Sequence, residues 1–362
     1  MSWPDIYPIL TDEMVELYEC DVTATARNEL DDAFAVRRLV NARQCKHLVS
    51  TSLFWKNPGA EEAELPPITK ELMQNAAKHG LVSRHAPWDH YVLPLLQGAV
   101  LLQTERPDIV MRVYLAADME FLLEDLVNVG CEVALMHGSS LRHSPGAMWR
   151  FLAFEDSERW VTVIDADHAT EMMASIERTE IIMASGLGLW RLPYVFDAAK
   201  HQHPGRYRPI IACHFGARSG QPMDKLMRAF LWHTQRQTMP NECVLTAGKQ
   251  EPLKTSIYGT QWPTYGFDEW FLLAAYYPRM AFEGVLTFFK HGHNLGPWFA
   301  LDLEYVTWAN PLSEFLFYGD LTTYSEMLET AQPPTDNPLE QACCGHDPSA
   351  LTSGFRDCRS LR

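Results

Sequence analysis

The chain has 362 residues, of which 47% are hydrophobic and 21% charged, a globular composition long enough for one large core or two of ordinary size. No apolar stretch nears the roughly 20 residues that span a bilayer, and the start MSWPDIYPILTDEM lacks the basic head and apolar body of a secretory leader. A net charge of −16 disfavours a nucleic-acid partner, although a single basic groove escapes that argument, and eight scattered cysteines without a spaced framework fit a reduced, cytoplasmic chain.

Residues 1–45, with TARNELDDAFAVRRLVNAR, read as a helical extension without chemistry. From about residue 46 the apolar periodicity alternates between that of strands and that of helices. The run at 48–55, after Lys46 and His47, reads as a strand; 90–105 reads as a helix stopped by Pro107; 109–116 is a strand. A short helix from Asp118 has an acidic first turn and ends at Gly130, and 131–136 is the next strand. GAMWRFLAFED (146–156) reads as helical and RWVTVID (159–165) as a strand. Further on, 206–220 is a strand entering a Gly-rich turn, 222–236 an amphipathic helix opened by Pro222, 266–277 a helix, and 285–299 a strand running into an irregular loop. Such alternation predicts an α/β fold, a central mostly parallel sheet flanked by helices in one domain over 46–330. Residues 331–362 are Pro- and Gly-rich and polar, and are expected to be a poorly ordered tail.

In sheets of this kind ligands collect beyond the carboxyl ends of the strands. Asp165 and Asp167 stand at such an end, one residue apart, where an apolar run stops. Paired carboxylates there suit a hard divalent cation that bridges to a diphosphate; a solvated turn is the competing reading. His291 and His293, in FFKHGHNLGPW, offer imidazoles to complete such a metal shell, against the reading of two surface histidines. Asp268 and Glu269 open an apolar helix, where one of them suits a general base for an acceptor hydroxyl and both suit the helix dipole. Arg150, beside Trp149, is placed to pair with a diphosphate or to pack its stem and leave its head in water. CHFGARSG (213–220) ends a strand with glycines that allow a ligand close to the backbone and with Arg218, or is an ordinary tight turn. CCGH (343–346) lacks a second metal pair, and GLGLW (186–190) lacks the setting of a dinucleotide fingerprint.

Taken together, YVLPLLQGAVLLQTERPDIVMRVYLAADM, then MWRFLAFEDSERWVTVIDADH, then TYGFDEWFLLAAYYP resemble, in order and spacing, GT-A-fold (Rossmann-like) nucleotide-sugar glycosyltransferases of bacterial capsular polysaccharide and lipopolysaccharide biosynthesis. The likeness covers roughly residues 47 to 290. This chain has Ile164-Asp165-Ala166-Asp167-His168 where the family has Arg-Asp-x-Asp-Ser, and Asp268-Glu269 where it has Asp-Gln. The loop HGHNLGPW also resembles, with compressed spacing, the metal loop of glycogenin-type transferases. The resemblance implies a hexosyltransferase-like enzyme. In it Mn2+ or Mg2+ is held by Asp167 with Asp165, which also contacts the donor ribose. Arg150, Arg218 and Trp149 lie at the nucleotide-sugar donor, and Asp268 at the hydroxyl of a glycan or other acceptor. Two alternatives compete: a catalytically inactive nucleotide-sugar-binding protein of the same fold, and a viral-type sugar transferase acting on modified DNA.

Overall fold

The structure, a computed structural model, describes residues 9–55, 67–79, 87–140, 146–192, 194–195, 207–208, 210–236, 254–255, 261–262, 267–280, 285–287 and 305–307. In chain order the helices are α1 (Asp12–Asp21), α2 (Ala24–Phe34), α3 (Lys70–Gln74), α4 (Leu93–Glu105), α5 (Leu123–Asn128), α6 (Gly146–Trp149), α7 (Met173–Ser185), α8 (Met223–Gln235), α9 (Phe267–Phe271) and α10 (Tyr277–Met280). The strands are β1 (Val36–Val40), β2 (His47–Leu53), β3 (Val110–Leu115), β4 (Glu132–Met136), β5 (Trp160–Ile164), β6 (Leu189–Arg191), β7 (Tyr194–Val195), β8 (Tyr207–Arg208), β9 (His214–Arg218), β10 (Lys254–Thr255), β11 (Gln261–Trp262), β12 (Val285–Thr287) and β13 (Tyr305–Thr307). Nine of them form one sheet, ordered β1-β4-β3-β2-β5-β9-β6-β12-β13, while β7–β8 and β10–β11 are separate two-stranded ribbons.

The fold is α/β, but the sheet is mixed where the alternation predicts a mostly parallel one. The pairs β2–β3, β3–β4, β2–β5 and β6–β12 are parallel, and β1–β4, β5–β9, β6–β9 and β12–β13 are antiparallel. The parallel part is the half rich in Val, Leu and Met, with every residue of β2, β3 and β4 buried, as strands covered on both faces must be. Antiparallel β9 enters between β5 and β6. Its Gly216 allows this, because a Cβ there would lie 2.3 Å from both Thr179 Oγ1 and Trp190 Nε1. Those two atoms hydrogen-bond at 2.7 Å, and Thr179 Oγ1 lies 2.6 Å from Thr162 Oγ1, itself 2.7 Å from His47 Nε2. This buried polar line crosses the sheet. Burial, with the Arg106 charge second, pushes His47 down to about 4.

The first 45 residues are helical only in part. Thr11 and Thr23 cap α1 and α2, each hydroxyl accepting from the backbone N–H three residues on. The chain then turns into β1, an edge strand paired with β4 and exposed along most of its length. Its VRRLV sequence carries no alternation of the half-buried kind, which hides it from pattern reading. This segment also docks on the body. Leu10 N–H donates to the Ala274 carbonyl (2.9 Å), Arg279 donates to the Leu10 carbonyl (3.0 Å) and pairs with Asp12 (2.8 Å), and α1 packs on α8. Residues 9–40 are therefore not a separate extension.

The chain leaves β2 to build β3 and β4 on one side, then returns to place β5 on the other side of β2. That reversal makes the carboxyl ends of β2 and β5 a topological switch point, the place where open α/β sheets take ligands. Among the described residues no helix is long and apolar enough to cross a membrane.

Candidate active site

β5 is apolar until Ile164, then the chain exits at Asp165 in extended conformation and closes a 3-10 turn over Ala166–Glu171, with His168 N–H donating to the Asp165 carbonyl (3.1 Å). Ala166 and Ala169 are buried, which fixes the turn and leaves Asp165 and Asp167 partly exposed at 35% and 23% of their side chains. Helix α4 lies against this turn without a gap: a Cβ on Gly98 would stand 2.5 Å from the Ala169 carbonyl oxygen.

Arg150 is held from beneath by β2. Ser50 Oγ donates to its carbonyl (2.6 Å) and Ser52 Oγ accepts from its N–H (2.9 Å). These two serines share a face because strand side chains alternate. The guanidinium, 6% exposed, forms a close ion pair with Asp165, and its second nitrogen meets Asp268 Oδ2 at 2.8 Å. Asp268 comes from the first turn of α9 and is 15% exposed. Arg150 thus joins the acid at the end of β5 to the acid that opens a helix about a hundred residues later. Glu269 is half-buried beside Asp268. The Nε of Arg150 is buried without a hydrogen-bond partner among the described residues.

Asp167 faces another element. Its Oδ2 lies 3.4 Å from Nε2 of His90, in the π-helical turn Trp88–Val92 that leads into α4. His168 turns toward Glu171 (3.5 Å), and its ring centroid is 5.2 Å from that of His214. His214 opens β9 opposite Ile164, with its Nδ1 3.4 Å from Ser175 Oγ. The loops at the carboxyl ends of the neighbouring strands are organised by Asp118, beyond β3. Its carboxylate accepts from Ser139 Oγ (2.5 Å) and from both N–H and Oγ of Ser140 (3.0 and 2.9 Å), and Ser140 Oγ accepts from Trp55 N–H (2.9 Å) beyond β2. The loops after β2, β3 and β4 are thereby tied together.

Two of the residues expected at the donor, Trp149 and Arg218, are placed differently. Trp149 is fully buried: its Nε1 donates to the Ala33 carbonyl (2.8 Å) and its ring meets Phe54 edge-on, so it belongs to the core. Arg218 is exposed and pairs across the sheet with Trp160, at the opposite end of β5 from Asp165, about 16 Å away along an extended strand. Arg150 is at the site but spends its charge on protein carboxylates. The glycines of CHFGARSG serve strand packing at Gly216 and a left-handed turn at Gly220 (φ 109°). His291 and His293 lie outside the described residues. Pattern reading missed His90, Asp118 and His214; only His214 carried a signal, as a polar residue at the head of a buried strand.

Among the described residues no group of three or more His, Cys, Asp or Glu gathers to hold a metal ion. Asp165 and Asp167 nonetheless fit a hard divalent cation of the Mg2+ or Mn2+ kind, which is commonly bound by one or two carboxylates with water and substrate phosphates making up the rest. No protein-family model matches the chain, and neither a curated protein nor a solved structure does.

Proposed function

We propose that this chain is a metal-dependent glycosyltransferase of GT-A-like fold, moving a sugar from a nucleotide-sugar donor to a hydroxyl acceptor. The observation that carries the reading is the link that Arg150 makes between Asp165, at the carboxyl end of β5 beside the strand-order reversal, and Asp268, with Asp167 two residues on in the same turn. The motif resemblance supports it independently, since these are the acids it assigns to donor and acceptor. A bound Mn2+ or Mg2+ would supply positive charge against the departing nucleoside diphosphate, where charge builds in the transition state. Asp167, with Asp165, would hold that cation. Arg150 adds a fixed positive charge to the same corner and sets the rotamer of Asp268 through their hydrogen bond. In an inverting transfer Asp268 takes the proton of the attacking hydroxyl. In a retaining transfer the leaving phosphate takes it, and Asp268 positions the acceptor.

The test is release of free nucleotide from a panel of nucleotide sugars with Mn2+, with and without chelator, for the natural protein and Asp167→Ala. Release that stops in chelator and in Asp167→Ala, with thermal unfolding unchanged, is expected; release indifferent to both refutes the metal-dependent reading. A second reading, a binder of nucleotide sugars without turnover, is favoured by one feature, that Arg150 already satisfies Asp165 and Asp268. It predicts a thermal shift with nucleotide sugars but no release with any acceptor.

A further inference from the structure

The two acids of the turn have different neighbours, and that difference separates their roles. Asp165 is paired with Arg150, a permanent cation with no lone pair to give a metal. Asp167 is paired with an imidazole, which can. The 3.4 Å between His90 Nε2 and Asp167 Oδ2 is longer than the roughly 2.7–3.2 Å of a well-formed hydrogen bond between such atoms. It lies a few tenths of an ångström outside the bite of two donors on one octahedral cation: with bonds of about 2.1 Å, donor atoms at a right angle stand about 3.0 Å apart, a small side-chain adjustment away.

The placement is rigid. His90 belongs to a π-helical turn, a geometry that locally redirects side chains and recurs at functional sites. Trp88 of the same turn lies under the Lys70 ammonium at 4.6 Å. Helix α4, which continues from that turn, contacts the backbone that carries Asp167 at Gly98 and Ala169. Both side chains remain reachable, at 33% and 23% exposed.

We infer that His90 is a ligand of the divalent cation beside Asp167, so that an imidazole from the turn before α4 joins the carboxylates of the turn after β5 in the protein's share of the metal shell. This rests on the proposed metal-dependent transfer and deepens it. A mixed nitrogen and oxygen donor set favours a transition-metal cation such as Mn2+ over Mg2+, because imidazole is a poor ligand for the harder ion. His168 and His214 are the rival imidazoles among the described residues; their rings face each other, and His168 faces Glu171.

The full chain is titrated with Mn2+ alone, following loss of the free-ion electron paramagnetic resonance signal, and the bound ion is then examined for 14N coupling by pulsed resonance. The natural protein should show nitrogen coupling. His90→Gln should lose it and bind Mn2+ about ten-fold or more weakly, while His168→Gln and His214→Gln retain it. Bound Mn2+ coordinated by oxygen alone in the natural protein, a result that needs no variant to fold, overturns the assignment, as does coupling undiminished in His90→Gln. Either outcome leaves the transferase reading standing if donor turnover still needs the cation. Turnover that persists in chelator removes both.

Discussion

The buried histidine at the far end of the sheet gives a quantitative prediction about stability. His47 opens β2, is 4% exposed, and has Nε2 at 2.7 Å from Thr162 Oγ1 and Nδ1 without a hydrogen-bond partner among the described residues. A second proton would have to sit on that Nδ1 in an apolar setting, which is why burial takes the group from an ordinary 6.5 to about 4. In the unfolded chain the imidazole protonates as the pH drops below about 6.5, whereas the folded chain keeps it neutral until about 4. The unfolded state therefore binds more protons in this window, and stability rises with pH across it. The contribution is complete above the upper limit, declines as the pH falls, and is gone below the lower one. At about 1.4 kcal/mol per pH unit the window amounts to roughly 3 kcal/mol, a large part of a typical total. Urea unfolding at intervals between about pH 7 and pH 4 measures it, with His47→Gln as the reference because an amide can still bond Thr162 but does not titrate. The natural protein should lose about 3 kcal/mol more than the variant over that range, while other carboxylates and histidines cancel in the difference. Parallel pH profiles for the two proteins would refute the reasoning.

Arg150→Met should abolish donor turnover and lower stability by about 3 kcal/mol, the low end for breaking a buried ion pair because Asp165 is a third exposed; adding Asp268→Asn should recover part of that loss in urea unfolding. Gly98→Ala forces a Cβ into the Ala169 carbonyl and should cost about 1–3 kcal/mol despite alanine's better helix propensity, with a matching drop in Mn2+ affinity as the Asp167 turn is pushed away. Arg218→Ala should leave donor turnover unchanged and shift unfolding by no more than about 0.5 kcal/mol; a large fall in turnover would contradict its position at the other end of β5.

The legible elements are those whose burial is written into short windows. β2, β3, β4 and β5 are mostly apolar or β-branched runs bounded by turns, interrupted by residues such as Ser50, Ser52 and Arg112, and each is found within two residues of its expected place. β6 is three residues long, too short for a period, and Gly186 ends α7 in a left-handed cap (φ 73°), so GLGLW shows no strand pattern although β6 begins within it. The helix over 266–277 is present as α9, a π turn and α10, because its apolar residues face the core on nearly all sides. Sheet direction was the larger miss. Nothing local in HFGAR states that β9 runs against β5; the reversal depends on Gly216 fitting over Thr179 and Trp190, which are distant in sequence.

The site follows the same division. Asp165 and Asp167 could be picked out because the apolar run stops at them, and Asp268 because it opens an apolar helix. What the three acids meet is set by Arg150 and His90, which pattern reading could not connect to them. Arg150 lies 15 residues before one partner and 118 before the other, and it meets both only because Ser50 and Ser52 pin its backbone at the end of β2. His90 reaches Asp167 from 77 residues upstream, across the contact of α4 with the turn. The consequence is chemical. An acid held by arginine keeps its negative charge matched whether or not a ligand is present, and Arg150 ties Asp165 to Asp268. An acid beside a histidine can instead share a cation with it, as proposed for Asp167 and His90. Two carboxylates one residue apart in the chain are in this way given different partners by the elements packed against them.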